Sequence, residues 1–280
     1  CNVVIGDTAA CAVTSGCYNV VSGFKAGICI STGSYNTFLG PQAGKNFTTG
    51  QYNVVLGPAA CLSGTATGTE NILIGNYAAR CINGNAGNNI ALGRYALGSL
   101  NHGLAFEGNS NLALGMSALP QITSGNRNIG LGSCAGRCTT TGDDNIFIGC
   151  YSGHNHISGS KNVAIGVNVS LASTSGSCQL AIGNGTNFWI QGDSSYNVTL
   201  AGIATVSSAT GIVSATKFCG DGSSLTGISA GFTTTGSNNL VAGYNAGCNI
   251  ASGGCNNIVM GTEAGKNLTT SDGHVFIGMY

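Results

Sequence analysis

The sequence predicts an all-β protein, a parallel β-solenoid built from short coils of about 17 residues each. The first observation is a short phrase that returns along the chain, as in NVVIGDTAA at 2–10 and NTFLGPQAG at 36–44. The second is the density of glycine within each phrase, which excludes helical repeats because each glycine would cost a helix about 1 kcal/mol. A two-helix repeat also needs about 30 residues or more.

Each copy of the phrase begins at an Asn slot, numbered zero here, and has Gly four positions later. The slots are evenly spaced through most of the chain, and the step from Asn89 to Asn111 is longer than the others around it. Gln179 and His274 fill the slot in two further copies, so that 14 copies are visible. The residues predicted to shape the coils are Asn2, Asn19, Asn36, Asn53, Asn71, Asn89, Asn111, Asn128, Asn145, Asn162, Asn239 and Asn257, with Gly6, Gly23, Gly40, Gly57, Gly75, Gly93, Gly115, Gly132, Gly149, Gly166, Gly243 and Gly261.

Large aliphatic residues occupy positions +1 and +3 of almost every copy, as at Ile72 and Ile74. This alternation is typical of a strand with both residues on one face, and we predict that this face fills the interior of the coil. Position +2 is also apolar or small, as at Val4, and a strand apolar on both faces must be covered on both. We therefore predict that identical chains associate through the +2 face.

Stacked coils lie about 4.8 Å apart, so the Asn slots are expected to form a ladder of amide hydrogen bonds. The glycines are expected at corners, where φ is often positive and a side chain would clash.

The repeat divides the chain into three predicted parts: a solenoid at 1–183, an irregular β module at 184–236, and resumed solenoid coils at 237–280. The chain begins and ends within a phrase, so we expect a section of a longer array. Lipidation of Cys1 is a second interpretation of that terminus, but Cys1 occupies an ordinary slot of the repeat.

The phrases NVVIGDTAA and NTFLGPQAG resemble the head repeats of trimeric autotransporter adhesins. That resemblance implies a left-handed β-roll arranged as a homotrimer. GIVSATKFCGDGSSLTGI at 211–228 is similar to a segment of bacteriophage tail fibres, which also carry repeats of this kind. The period found here departs from the shorter one usual in adhesin heads, and the cysteine content is unusual for both families.

Composition limits the classes of partner. Charged residues are 6% of the chain and the formal net charge is zero, which removes the basic footprint of nucleic-acid binders. The sequence contains no apolar run as long as the roughly 18 residues of a membrane span, so we expect no membrane insertion of this segment. The partners expected are further copies of the chain and a host-surface glycan or receptor, with the loops at 99–109 and 184–196 as contact places.

Thirteen cysteines allow two interpretations. Neighbouring coils place equivalent positions within disulfide range, which suggests the pairs Cys1–Cys17, Cys11–Cys29, Cys61–Cys81 and Cys134–Cys150. Alternatively, small apolar thiols fill slots that hold Ala or Gly in other copies.

No catalytic, metal or cofactor site is predicted. His154 and His156 form one His-x-His pair, for which a solvated loop is favoured over a metal site on a trimer axis. Asp143 and Asp144 are the one adjacent acidic pair, whereas a glycan-cleaving spike needs two or more carboxylates facing a groove.

The leading hypothesis is therefore the structural shaft of a viral, phage-like tail or surface fibre that supports host attachment, located on the virion. The first alternative is a bacterial or microbial adhesin or extracellular filament at the cell surface. The second alternative is a polysaccharide-degrading tail spike.

Overall fold

The structure is a computed structural model of the chain, and it describes residues 1–62, 64–98, 105–200, 204–207, 212–215, 238–250 and 254–279. These residues form strands and turns and contain no helix, which confirms the predicted all-β class. The described residues accordingly include no helix long and apolar enough to cross a membrane. The chain divides into two compact units, Cys1–Lys217 and Phe218–Tyr280, and each is described by itself.

The strands of the first unit are β1 (Val3–Ile5), β2 (Val20–Ser22), β3 (Thr37–Leu39), β4 (Val54–Leu56), β5 (Ile72–Ile74), β6 (Ile90–Leu92), β7 (Leu112–Leu114), β8 (Ile129–Leu131), β9 (Ile146–Ile148), β10 (Val163–Ile165), β11 (Leu180–Asn184), β12 (Asn187–Gly192), β13 (Val198–Leu200), β14 (Ala204–Ser207) and β15 (Ile212–Ala215). Those of the second unit are β16 (Leu240–Ala242), β17 (Ile258–Met260) and β18 (Val275–Ile277).

Strands β1 to β11 pair in parallel in sequence order, one strand for each coil. The register keeps equivalent repeat positions side by side: Ile72 of β5 pairs with Val54 of β4 and with Ile90 of β6. The longer step before Asn111 does not disturb it, because Ile90 still pairs with Leu112. The chain is thus a parallel β-solenoid with the short coils that the spacing predicts.

Beyond β11 the pairing becomes antiparallel, and β11 to β15 form a meander on the end of the same sheet. Strands β12 to β15 fall within the predicted interruption at 184–236. Of the segment 211–228, which resembles phage tail fibres, only 212–215 belong to the described residues, and the rest of this segment lies outside them. In the second unit, β16, β17 and β18 again pair in parallel.

The strand faces are opposite to those expected from the sequence. Leu73, at position +2, is 0% exposed, whereas its neighbour Ile72 at position +1 is 38% exposed. The same alternation holds from β2 to β10, where the middle residue is buried and both flanking residues are partly or fully exposed. The prediction that positions +1 and +3 fill the interior is therefore wrong: the +2 column is the core.

Val4 illustrates the consequence of this correction. It was expected to face a partner chain, but it belongs to the +2 column, where its pairing partner Val21 is 0% exposed. Val4 is 44% exposed because β1 pairs with a strand on one side only. Its exposure therefore carries no information about partners.

The interior is filled by complementary side chains from several columns. Phe38 contacts two glycines, and a methyl group at Gly27 or Gly44 would meet its ring at 2.9 or 2.8 Å. Where the +2 position is Gly130, the Leu119 side chain occupies the space instead, since a methyl group there would lie 2.8 Å from its Cγ. Large side chains of some core positions are therefore accommodated by glycine at others.

In the coils of β1 to β10 the glycine at position +4 follows the strand at a corner. Gly115 has φ of 131°, and an added Cβ would lie 2.7 Å from the carbonyl carbon of Gly132, its equivalent in the next coil. The sequence-based expectation of glycine corners is confirmed, because both the dihedral and the coil spacing exclude a side chain.

Replacement of Gly115 by alanine is expected to lower the free energy of unfolding by at least about 1–3 kcal/mol, because the clash with Gly132 adds to the cost of a strained backbone conformation. Urea unfolding followed by circular dichroism measures this loss. Gly84 is the matched control, because its φ is also positive at 52° but no atom lies within 4 Å of an added Cβ. Equal losses of unfolding free energy at both sites would show that the contact between coils does not contribute to the requirement for glycine.

Candidate assembly face

The outward face of the solenoid sheet carries two columns of aliphatic side chains, formed by positions +1 and +3 of β1 to β11. We call this surface the outer stripe. Its residues are Val3, Ile5, Val20, Ser22, Thr37, Leu39, Val54, Leu56, Ile72, Ile74, Ile90, Leu92, Leu112, Leu114, Ile129, Leu131, Ile146, Ile148, Val163, Ile165, Leu180 and Ile182.

The outer stripe contains no charged residue, and Ser22 and Thr37 are its only polar members. Eleven strands at about 4.8 Å make it roughly 50 Å long, with an area on the order of 600 Å² for two side-chain columns. Contiguous apolar patches of this size lie at the upper limit for monomeric proteins and mark interaction surfaces. The outer stripe is therefore the strongest candidate for a functional surface.

A column of tyrosines flanks the outer stripe in the first coils, at the position just before the Asn slot. Tyr18 stacks on Tyr35 and Tyr35 on Tyr52, with ring centroids 5.0 Å apart in both pairs. All three are about half exposed and have positive φ, which turns the chain into the strand. Further along, the same position holds Arg127 and Asp144, so one edge of the face changes from aromatic to charged.

The regular spacing of Asn produces a buried amide ladder, as predicted; we call it the Asn ladder. In the coil at Asn89, the side-chain Nδ2 donates to Asn71 Oδ1 at 3.1 Å and to the Gly108 carbonyl at 2.9 Å. Its Oδ1 accepts from the backbone N and from Nδ2 of Asn111, at 2.9 and 3.2 Å. Asn89 is 0% exposed, so every polar atom of the side chain is satisfied inside the protein.

Gln179 ends the Asn ladder of the first unit. Its backbone N and its Nε2 still donate to Asn162 Oδ1, at 2.9 and 3.3 Å. Its longer side chain folds back onto its own coil, where Nε2 donates to the carbonyls of Ser173 and Gly176, and Oε1 accepts from the Ser173 N. This is the coil after which the sheet changes from parallel to antiparallel pairing.

The cysteines in the described part of the chain are free thiols, while Cys219 lies outside that part. Three predicted pairs are one position out of register. The two cysteines of each pair occupy adjacent rather than identical repeat positions: Cys1 with Cys17, Cys11 with Cys29, and Cys134 with Cys150. Accordingly, Cys11 Sγ lies 3.8 Å from the Ile28 carbonyl, Cys17 Sγ 3.8 Å from Ser34 Oγ, and Cys134 contacts Tyr151.

Cys61 and Cys81 form the fourth predicted pair, and both are buried. Burial raises the pKa of the Cys61 thiol well above its ordinary value, and the nearby Cys81 raises it further. A thiol of this kind is unreactive at neutral pH, since the thiolate is the reactive form. The structure thus favours the interpretation of these two residues as small apolar core side chains.

The two histidines of the His-x-His pair lie in different environments. His154 is partly exposed, and its Nδ1 lies 2.9 Å from the Tyr151 carbonyl oxygen. His156 is 0% exposed, so the predicted solvated loop is wrong for this residue. No group of three or more His, Cys, Asp or Glu side chains suited to a metal ion occurs among the described residues.

The adjacent acids are engaged in surface contacts. Asp143 Oδ1 accepts from the backbone N of Asn126 at 2.7 Å, and Asp144 pairs with Arg127 at 2.6 Å. The hydrogen bond from Arg127 lowers the pKa of Asp144. A glycosidase general acid needs the opposite shift, because it must hold a proton near neutral pH.

The loops expected to contact a glycan or receptor are only partly described. Residues 99–104 lie outside the described residues, whereas 184–196 contain a turn and strand β12. Trp189 of β12 is 64% exposed, and the register shift beside it between Ile182 and Gly183 marks an irregularity in the pairing of β11 with β12.

Comparison with protein-family models, with curated proteins and with solved structures finds no match to this chain.

Proposed function

We propose that this chain is the shaft of a viral, phage-like tail or surface fibre, and that copies of it associate through the outer stripe to form the fibre. The observation that carries the proposal is the outer stripe itself: an uncharged aliphatic surface that continues over eleven parallel strands. The Asn ladder and the corner glycines recur in nearly every coil of the solenoid, which suits a mechanical rather than a chemical role.

The energy of association supports this proposal. Burying on the order of 600 Å² of apolar surface per chain contributes roughly 15 kcal/mol. The loss of translational and rotational freedom costs about 4–15 kcal/mol. The gain over the whole length of the outer stripe is therefore comparable with the upper end of this cost, and a contact over fewer coils gains proportionately less.

The number of chains and the place of the fibre rest on the resemblance to trimeric autotransporter adhesins and phage tail fibres. We propose a homotrimer on a virion or another extracellular surface, with a host glycan or receptor as the external partner. The near absence of charge fits this setting, because a neutral surface of Asn, Ser and Thr limits non-specific electrostatic adhesion.

The double substitution of Ile72 and Ile90 by lysine tests the proposal. Both residues are exposed members of the outer stripe, so the single chain is expected to keep its fold. Two lysines on each chain would be buried without partners in the assembly, which we expect to dissociate it to monomers. Sedimentation equilibrium measures the mass, and circular dichroism confirms the fold.

The matched control replaces the exposed Thr65 and Ser124 by lysine, which adds the same charge on the turns instead of the sheet. This control is expected to keep the oligomer. A wild-type protein that sediments as a monomer, or a stripe variant with the wild-type mass, would overturn the proposed mode of assembly.

A further inference from the structure

His156 occupies a column of the core that holds a large apolar residue in several other coils. The column consists of residues six positions before the next Asn slot, among them Ile30, Phe47 and Ile122. All of these are 0–2% exposed, and His156 is 0% exposed. Its ring packs on Phe147 with 5.3 Å between the ring centroids. A titratable ring thus stands where these coils place a hydrocarbon.

Both ring nitrogens of His156 contact polar groups of the core. Nδ1 lies 3.1 Å from the Thr139 hydroxyl, and Nε2 lies 3.2 Å from Nδ2 of Asn162. An amide nitrogen can only donate, so this contact is favourable only while Nε2 carries no proton. The two N–H groups of the Asn162 amide also lie within reach of Asn145 Oδ1 and of the Gly176 carbonyl, so His156 borders the Asn ladder.

The charged groups around this coil point away from the ring. Asp143 and Asp144 are bound to Asn126 and Arg127, while Lys161 is exposed and His154 contacts the Tyr151 carbonyl. Among the described residues no charged side chain acts on His156, and the one contact that favours its protonated form is with the backbone of Gly159. A positive charge in this position would therefore have no counter-ion.

We propose that His156 makes this coil an acid-sensitive joint of the solenoid. Uptake of a proton from solvent leaves an N–H on both ring nitrogens, and the one at Nε2 opposes the N–H groups of the Asn162 amide. The hydrogen bonds of the Asn ladder between the coils of Asn145 and Asn162 are then weakened, and this part of the array unfolds before the rest. The inference concerns the single chain and does not depend on the proposed fibre function.

The direction of the pH dependence follows from the burial of the ring. Desolvation lowers the pKa of His156 below its ordinary value of 6.5, against the smaller opposing effect of Gly159. As the pH falls below 6.5, the unfolded chain takes up the proton before the folded chain does. The stability is therefore fully present above the unfolded pKa and is lost as the pH falls towards the folded pKa.

Urea unfolding between pH 7.5 and pH 5 tests the inference on the wild-type chain and on the variants His156→Phe and His156→Thr. Phe47 and Thr139 occupy this column in other coils, so both variants place a native occupant there. One histidine changes the unfolding equilibrium constant by up to about tenfold per pH unit. We expect this extra slope in the wild type and its loss in both variants, whereas His154→Ala keeps it.

Hydrogen exchange locates the effect: at pH 5 the amides of 139–162 are expected to lose protection in the wild type before those of the coils at 19–56. Parallel pH profiles for the wild type and both His156 variants would overturn the inference. If both variants fail to fold, the imidazole resonance of His156 decides, and titration at the ordinary pKa in the folded protein would contradict it.

Discussion

Truncation of Phe147 to alanine is expected to lower the free energy of unfolding by about 3–5 kcal/mol. Phe147 lies at position +2 of β9 and is 0% exposed. Its ring fills the space left by Gly136 and Gly153, since a Cβ at either glycine would clash with it. Neither glycine can extend a side chain into the cavity, so the loss includes a cavity cost as well as the transfer cost.

The adjacent residue Ile146 provides the matched comparison, because it belongs to the outer stripe and is partly exposed. Ile146→Ala is expected to cost well under half as much as Phe147→Ala in a single chain. Both substitutions should be made in the background of Ile72→Lys and Ile90→Lys, so that association does not add to the loss at Ile146. Urea unfolding then separates the two faces, and a larger loss at Ile146 would restore the assignment made from the sequence.

Features of the backbone were predictable from the sequence. The sequence predicted the period, the strand at positions +1 to +3, the glycine corner and the Asn ladder. These features recur at a nearly constant spacing, and the corner and the ladder do so with the same residue type. Each depends on a requirement that every coil repeats, such as the positive φ of Gly115 or the amide bonds of Asn89. A requirement repeated in every coil leaves a uniform column in the sequence, and a uniform column can be recognised without a structure.

The direction of the side chains was not predictable in the same way. In the interior a large side chain of one column lies beside glycine of another, as Phe38 beside Gly27 and Gly44, and Leu119 beside Gly130. The +2 column therefore looks irregular, while the exposed +1 and +3 columns look like a core because they are uniformly aliphatic. A uniform aliphatic surface agrees with the outer stripe facing the same neighbour in every coil.

The position of His156 could have been found from the sequence. It lies six positions before Asn162, the same distance that separates Ile30 from Asn36. The His-x-His pair alone does not show that His156 lies in a core column, because this depends on the spacing to Asn162. The register of the cysteines was also readable, because a disulfide between coils needs the same repeat position, and Cys1 with Cys17 misses that position by one.

Replacement of Asn89 by alanine is expected to destabilise the protein by about 2–6 kcal/mol, because it leaves two buried backbone groups without partners at roughly 1–3 kcal/mol each. The Gly108 carbonyl loses its bond from Asn89 Nδ2, and the Asn111 N loses its bond to Asn89 Oδ1. Nδ2 of Asn111 retains the Gly125 carbonyl, so it is not counted among the lost partners.

Asn76→Ala is the matched control, since Asn76 lies in the neighbouring coil and its side chain donates to the Pro58 carbonyl at the surface. We expect this control to cost about 0.5–1.5 kcal/mol, the value of one ordinary hydrogen bond. Equal losses in the two variants would show that burial of the Asn ladder adds nothing to stability.

The Asn89→Ala variant also tests how the coils cooperate. In a linear repeat protein each coil contacts only its neighbours, so a weakened interface divides the array into blocks that unfold separately. Asn89 stands between coils with five Asn rungs before it and four after it in the first unit. We expect the single unfolding transition of the wild type to split into two, with hydrogen exchange protection lost on one side of residue 89 before the other. A single transition shifted as a whole would mean that the parallel sheet, with β5, β6 and β7 still paired, carries cooperativity across the broken rung.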